Sequence, residues 1–273
     1  LEQTIKITLP SRKLVDICRA LPDEAVLEFN IQDEKAHIKS GKSRFTLAML
    51  PAHEYPVIDI TEETIDFDIS KETLIGLLSN TQFAMAQQDV RYYLNGLMLE
   101  VSGNRLKAVA TDGHRLAYDE VEINTPAKET RQIILPRKGA VELMRILQSA
   151  QDDASIKISK NHIQARSGKL SFTSKLIDGK FPDYQRVIPE QSETVVLANR
   201  EGLKNSLARA SILSNEKYRG VRLALGENNV TIQANNPEQE EAEESVEVEY
   251  TGDNMEIGFN VTYLLDALGA VDE

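Results

Sequence analysis

The residues best equipped for chemistry lie in "VATDGHRLAYDE", residues 109–120. Asp112 and His114 flank a glycine there, with Thr111 and Arg115 beside them. A carboxylate two residues from an imidazole is raw material for general acid–base catalysis. A hydrolase or nuclease built here also needs a nucleophile or a metal partner, and the sequence supplies no obvious one. The four histidines, His37, His53, His114 and His162, are scattered without ligand spacing, and no CxxC, HExxH or GxGxxG occurs, so neither a metal nor a cofactor is expected. "GKS" at 41–43 evokes a phosphate loop, but the glycine required five residues before Gly41 is Ala36. Asp112-Gly113 instead sits between two alternating apolar runs, the signature of a hairpin turn in which both residues take positive φ. A second segment, "QQDVRYYLNG" (87–96), sets Arg91 beside Tyr92 and Tyr93 on a loop. Such a cation among aromatics can grip a nucleic-acid backbone, but on the sequence alone ordinary loop-to-strand packing is the better reading.

Bulk composition narrows the function classes. The chain has 273 residues, 41% of them apolar and 5% aromatic, with a formal net charge of -12. Taken as an average, that charge argues against a nucleic-acid partner, because phosphate binding needs cations. A lone cysteine, Cys18, fits a reducing compartment. No apolar run approaches the roughly 18 residues of a membrane helix and no signal peptide opens the chain, so a cytoplasmic protein is expected. Opening at Leu1 and stopping at "GAVDE", the sequence reads as a fragment.

The elements that must carry these residues repeat. Residues 7–21, "ITLPSRKLVDICRAL", align with 133–147, "IILPRKGAVELMRIL", a period of about 126 residues. "NGLMLEVSGNRLKAVATD" (95–112) aligns with "RGVRLALGENNVTIQANN" (219–236), and "IGFNVTYLLDAL" (257–268) begins like 133–144. The spacing therefore predicts half a repeat (1–63), a whole one (64–192) and a third cut short (193–273). Each half-unit is a short strand, an amphipathic helix and alternating strands: an α+β fold with helices on one face of antiparallel sheets. Ser70, Asn199 and Asn260 suit helix N-caps, and Pro10 and Pro136 suit first-turn positions. Leu14, Cys18 and Leu21 match Ala140, Met144 and Leu147 as a buried stripe, which makes Cys18 a small core residue. The turn itself does not recur: the aligned segment of the third repeat, "IQANNPEQ", has no acid or histidine at the equivalent places.

A charged stripe recurs beside the apolar one. Arg12, Asp16 and Arg19 match Lys138, Glu142 and Arg145 at the same spacing. Helix segments 10–21, 136–150 and 199–213 each carry a net +2, while the chain as a whole carries -12. Positive charge thus lives on helices and acidity on strands and loops, so helices sharing a face would give an acidic protein a basic surface. Opposite charge also appears at the two ends of the array. "KSGKSRF" (39–45) offers Lys39, Lys42 and Arg44, whereas "NPEQEEAEES" (236–245) is rich in glutamate. Complementary ends of a repeat array invite head-to-tail association, which closes into a ring if the rotation permits.

Taken together, "VATDGHRLA", "QDVRYYLNG", "PRKGAVELMR", "SKLIDGKFPDYQRV", "ILSNEKYRGVRL" and "NNPEQEEAEE" closely resemble the bacterial DNA polymerase III beta subunit family, the sliding clamps, along the whole chain. Relative to that family the chain lacks about the first half of domain one and the last strands of domain three. The resemblance implies a DNA-clamp fold, with helices lining the inner face of a ring. It implies a non-enzymatic processivity factor that encircles duplex DNA without sequence preference, and a homodimer when complete. DNA-facing residues carry over to Arg12, Lys13, Gln88, Arg91, Tyr92, Tyr93, Arg137 and Lys138, with Arg19, Arg145, Lys204 and Arg209 as further candidates. The ring interface carries over to Phe45 and Leu47 against Ile212 and Leu213, with Lys39, Lys42 and Arg44 facing Glu238, Glu240, Glu241 and Glu244. A pocket for short peptide motifs of polymerases, clamp loader and repair proteins maps to Leu94, Thr111, Gly113, His114, Arg115, Leu116, Pro182, Arg186, Val187, Asn260 and Tyr263. The alternative reading is a repeat scaffold that binds peptides without encircling DNA.

Overall fold

A computed structural model describes residues 6–55, 58, 64–189 and 194–271, with the backbone alone for 124–129. The chain divides into two units, Leu1–Thr61 and Glu62–Glu273. In the first, β1 (Ile7–Thr8) leads into α1 (Ser11–Ala20), and β2 (Glu28–Gln32), β3 (Lys35–Ser40) and β4 (Ser43–Ala48) form an antiparallel sheet in that order. β5 (Leu50–Pro51) returns to pair with β1.

The second unit contains the central and third repeats. β6 (Ile65–Ile69), α2 (Lys71–Ser79), β7 (Gly96–Thr111), β8 (Leu116–Pro136), α3 (Arg137–Ser149), β9 (Ala154–Ile158), β10 (His162–Ser167) and β11 (Leu170–Lys175) make the central repeat. β12 (Leu197–Ala198), α4 (Arg200–Ser211), β13 (Gly220–Gly226), β14 (Asn229–Asn235), β15 (Glu241–Glu249), β16 (Met255–Asn260) and α5 (Val261–Ala270) make the third. The duplication read from the sequence is visible in the strands. The long β7 aligns with β13 plus β14, and its register shifts around Gly103, at φ +57°, where the third repeat turns at Asn228 (φ +55°). Five strands of the third repeat run in the order β12-β15-β14-β13-β16.

Local chemistry explains the helix starts. Side chains of Ser70, Asn199 and Asn260 accept from Thr73, Gly202 and Thr262 backbone N–H groups, caps that contribute about 1 kcal/mol each. Pro10 and Pro136 occupy the N-cap itself, next to the first turn, where a missing N–H costs nothing. α2 stops at Ser79 and gives way to a 3₁₀ turn, Gln82–Ala84. Thr81 Oγ1 donates back to the Leu77 carbonyl, satisfying an end group of α2.

Apolar residues of α2 and α3 pack with β6 to β11 in one core, including Leu74, Leu78, Leu97, Leu143 and Leu147. The third repeat has its own core around Leu207, Val221, Ile232 and Val261. α1 differs: none of its residues is buried, and Cys18 is exposed, correcting its assignment as a core residue. The reason is packing, not sequence. α3 has α2 and a strand pair to cover its stripe, whereas within the first unit α1 has no second α-helix among the described residues. Leu143→Ala should therefore lower the unfolding free energy of the second unit by about 2–5 kcal/mol. Val15→Ala on α1 should cost under about 0.5 kcal/mol in a urea titration. Equal losses at both positions would contradict this division.

Candidate functional site

The opening segment is a hairpin turn, with Thr111 and Leu116 the last register pair and residues 112–115 the loop. Only Gly113 has positive φ (+89°); Asp112 shapes the turn through its side chain and not, as expected, through its backbone. Its Oδ1 accepts the N–H groups of His114 (2.9 Å) and Arg115 (3.1 Å). Thr111 Oγ1 donates to the Arg115 carbonyl and accepts the Gly113 N–H. The carboxylate and hydroxyl are thus engaged in holding the chain, as Asx and Ser/Thr turns do. An acid so occupied is not poised to take a proton from a substrate.

Arg115 ties the turn to its surroundings. Its Nε donates to Asp112 Oδ2 (3.2 Å), Nη1 to Asp266 Oδ2 (2.5 Å) and Nη2 to the Phe83 carbonyl (2.8 Å). Its guanidinium lies over the rings of Tyr263 (4.5 Å) and Phe83 (5.4 Å). His114 stacks on the same Tyr263, with centroids 6.4 Å apart and planes 20° off parallel. A cavity of about 270 Å³ opens here, lined by Met85, Ala86, Gln87, Asp89, Asp112, His114, Arg115 and Tyr263. The central and third repeats therefore meet at this turn.

The peptide-binding set divides by exposure. His114, Pro182, Arg186 and Val187 are exposed, and Leu116 and Tyr263 are partly so. Leu94 is buried with Phe181 and Tyr184, so it is a floor beneath the surface and not a wall. Thr111, Arg115 and Asn260 spend their polar atoms on the turn, the inter-repeat contact and the α5 cap. Arg186 pairs with Asp183 (2.8 Å). Sequence reasoning missed Tyr118, whose exposed ring stacks on Tyr184 at 5.9 Å. Burial, and then its hydrogen bond to Glu120, pushes its phenol up and keeps it neutral. The alternation of β8 could have flagged it, because Tyr118 lies two residues beyond Leu116 on the same strand face.

The proposed DNA-touching residues are also sorted. Arg91 is not a free cation: its N–H, Nε and Nη2 all donate to Asp89 at 2.8–3.0 Å, and Nη2 reaches the Asp112 carbonyl. It braces the loop against the turn, and a Cβ on Gly113 would sit 2.9 Å from its Nη1. Gln88 (φ +57°) and Tyr92 remain exposed, while Tyr93 is partly buried edge-on to Tyr92. On the helices, Arg12, Lys13, Arg19 and Lys138 are exposed and make no ion pair among the described residues. Arg137 instead donates to the Met85 carbonyl, Arg145 pairs with Glu142, and Arg209 forks onto Glu244 at 2.7 and 2.8 Å. Arg200 closes the C-terminus of α5 through the Leu268 and Val271 carbonyls.

The residues expected at a ring interface fall on or near two sheet edges, β4 with its turn and β15 with the loop before it, apart from Lys39 on the central strand β3 and Ile212 and Leu213 just after α4. β4 ends the first unit's sheet; its Arg44 is exposed and Phe45 half-buried. Leu47 is buried inside that sheet, a correction to its expected place at an interface. Lys39 contacts Glu28 on the neighbouring strand, and Lys42 is exposed. Among the described residues β15 pairs with β12 only at Val248 and Glu249, so its stretch from Glu241 carries an open edge there. Ile212 is 75% exposed beside half-buried Leu213. Glu238, Glu240 and Glu241 are exposed, but Glu244 is taken by Arg209 of its own chain.

Hydrogen bonds from Arg91 hold the Asp89 carboxyl down at about 2. A depressed folded value stabilises the loop above the ordinary carboxylate range and loses that contribution as pH falls from about 4 towards 2. Arg91→Ala should return the Asp89 carboxyl titration, followed by carbon NMR, to near 3.8. An unchanged midpoint would show that Arg91 is not the cause.

Comparison with known proteins identifies the family. Family models of the DNA polymerase III beta subunit match in order: the N-terminal domain over residues 1–59, the central domain over 68–183 and the C-terminal domain over 185–273. The chain is 50% identical to the beta sliding clamp of Pseudomonas aeruginosa over 266 residues, 97% of this chain and 72% of that one. It is 48% identical to the Escherichia coli K12 beta sliding clamp over 264 residues, with the same shares. A solved structure of the Pseudomonas aeruginosa DNA polymerase III subunit beta superposes with TM-score 0.89 at 50% identity, over 99% of this chain and 75% of that one. Caulobacter crescentus pol III beta gives 0.91 at 36% identity, over 100% and 75%. A Pseudomonas aeruginosa sliding clamp bound to griselimycin gives 0.88 at 49% identity, over 100% and 74%. The chain belongs to the DNA polymerase III beta subunit family, the sliding clamps, and has their fold.

Proposed function

We infer that this protein is a DNA polymerase processivity factor, a sliding clamp and not an enzyme. The observation that carries the reading is the ordered match of three clamp domains across the chain. Its partners are DNA and the polymerase. The domains correspond to residues 1–63, 64–192 and 193–273. Exposed Arg12, Lys13 and Lys138 are suited to phosphates, giving sequence-independent, salt-sensitive contacts, with Gln88 and Tyr92 at the loop tip. Tight binding is unnecessary, because a closed ring is retained by topology.

Two copies join head to tail through the edges of β4 and β15, with Arg44 and Lys42 opposite Glu238, Glu240 and Glu241, and Phe45 against Ile212 and Leu213. Open strand edges of opposite charge support that joint. The groove beside the hairpin, formed by His114, Leu116, Tyr118, Pro182, Val187 and Tyr263, receives short peptides from polymerase, clamp loader and repair proteins in the bacterial cytoplasm. Griselimycin, bound in a Pseudomonas aeruginosa clamp structure, serves as the probe for this proposed groove.

Loaded on a nicked circular plasmid, the protein should co-elute with DNA in gel filtration and be lost when the circle is linearised. Ile212→Asp, which buries an unpaired charge in the joint, should abolish retention on the circle. Equal retention on circular and linear DNA would overturn encirclement. Absence of retention with peptide binding intact would favour a scaffold that does not encircle DNA.

A further inference from the structure

We propose that Arg115 and Asp266 form a clasp that assembles the docking groove, with Asp266 a positioning residue that touches no docked peptide itself. This rests on the reading of the hairpin as a docking site.

The wall of the groove comes from two repeats. His114 and Leu116 lie on the central repeat, while Tyr263 lies on α5 of the third, and 151 residues separate Arg115 from Asp266. Tyr263 and Asp266 are one turn apart on α5 and face the same neighbour. Arg115 meets both, its guanidinium over the Tyr263 ring and its Nη1 on the Asp266 carboxylate. Its remaining donors go to Asp112 and the Phe83 carbonyl, so one planar cation joins turn, 3₁₀ segment and helix. Its side chain is 18% exposed, so the charge sits in a partly desolvated setting where losing a partner is costly.

Internal repetition gives independent support. Asp266 occupies the position held by Asp16 in α1 and Glu142 in α3. In α3 that acid pairs on the surface with Arg145 of the same helix. α5 has lost the flanking cations: Thr262 stands where Arg12 and Lys138 stand, and Gly269 where Arg19 and Arg145 stand. The acid persists without a partner in its own helix and accepts Arg115 from the other repeat. Arg115 is likewise peculiar to the central repeat; its aligned position in the third is Gln239. A peptide seated on His114 and Tyr263 then favours the closed clasp, and the closed clasp favours the peptide by the same factor.

The test compares wild type, Asp266→Asn and Asp266→Glu by griselimycin affinity and by amide hydrogen exchange of Val261–Ala270. Asp266→Asn should weaken griselimycin about tenfold and speed α5 exchange, while protection in α2 and β7 stays unchanged. Asp266→Glu should recover most of both. Unchanged exchange in Asp266→Asn would overturn the clasp. Faster exchange with wild-type affinity would overturn its role in the groove. Should the wild type bind no griselimycin, the docking assignment of that ligand fails, and α5 exchange alone supports or overturns the clasp.

Discussion

A helix with one apolar stripe must bury it, and a single helix-plus-strands unit cannot do so alone. The architecture follows from that constraint. In the central repeat α2 and α3 cover a common core with Leu74, Leu78, Leu143 and Leu147. Their other faces are then left for solvent, and on α3 cations collect there at no cost to packing. α1 has the same stripe and the same cations but no buried residue, because no second α-helix packs on it among the described residues of its unit. One arrangement of apolar residues thus fixes where charge can lie.

Polar residues at the functional turn are governed by a second rule: a side chain whose hydrogen-bonding capacity is committed to structure has little left for chemistry. Asp112, Thr111 and Arg115 look catalytic as a composition and act as scaffolding once their partners are known. The same rule sorts the basic residues. Arg91, Arg137, Arg200 and Arg209 are engaged within the chain, leaving Arg12, Lys13, Arg19 and Lys138 as exposed cations. What remains exposed at the hairpin is an imidazole, a tyrosine edge and apolar side chains.

Much of this was legible in the sequence. Period, helix caps and the hairpin depend on contacts within a few residues, and those patterns survive in one dimension. The partners of Arg209 and Arg115, 35 and 151 residues away, depend on tertiary contacts that no local pattern encodes. Cys18 was misread because its repeat counterpart is covered and it is not. Arg91 could have been read better, since Asp89 lies two residues before it and can close a local loop. Tyr118 was passed over although β8 carries it on the face of Leu116.

The central claim is that the hairpin is a docking surface and not a catalytic one. It is tested most directly by mapping griselimycin onto the isotopically labelled protein by NMR. The largest shifts are expected at the methyls of Leu116 and Val187 and the rings of His114, Tyr118 and Tyr263. Shifts confined to the helix faces or the first unit, with the hairpin unmoved, would contradict it.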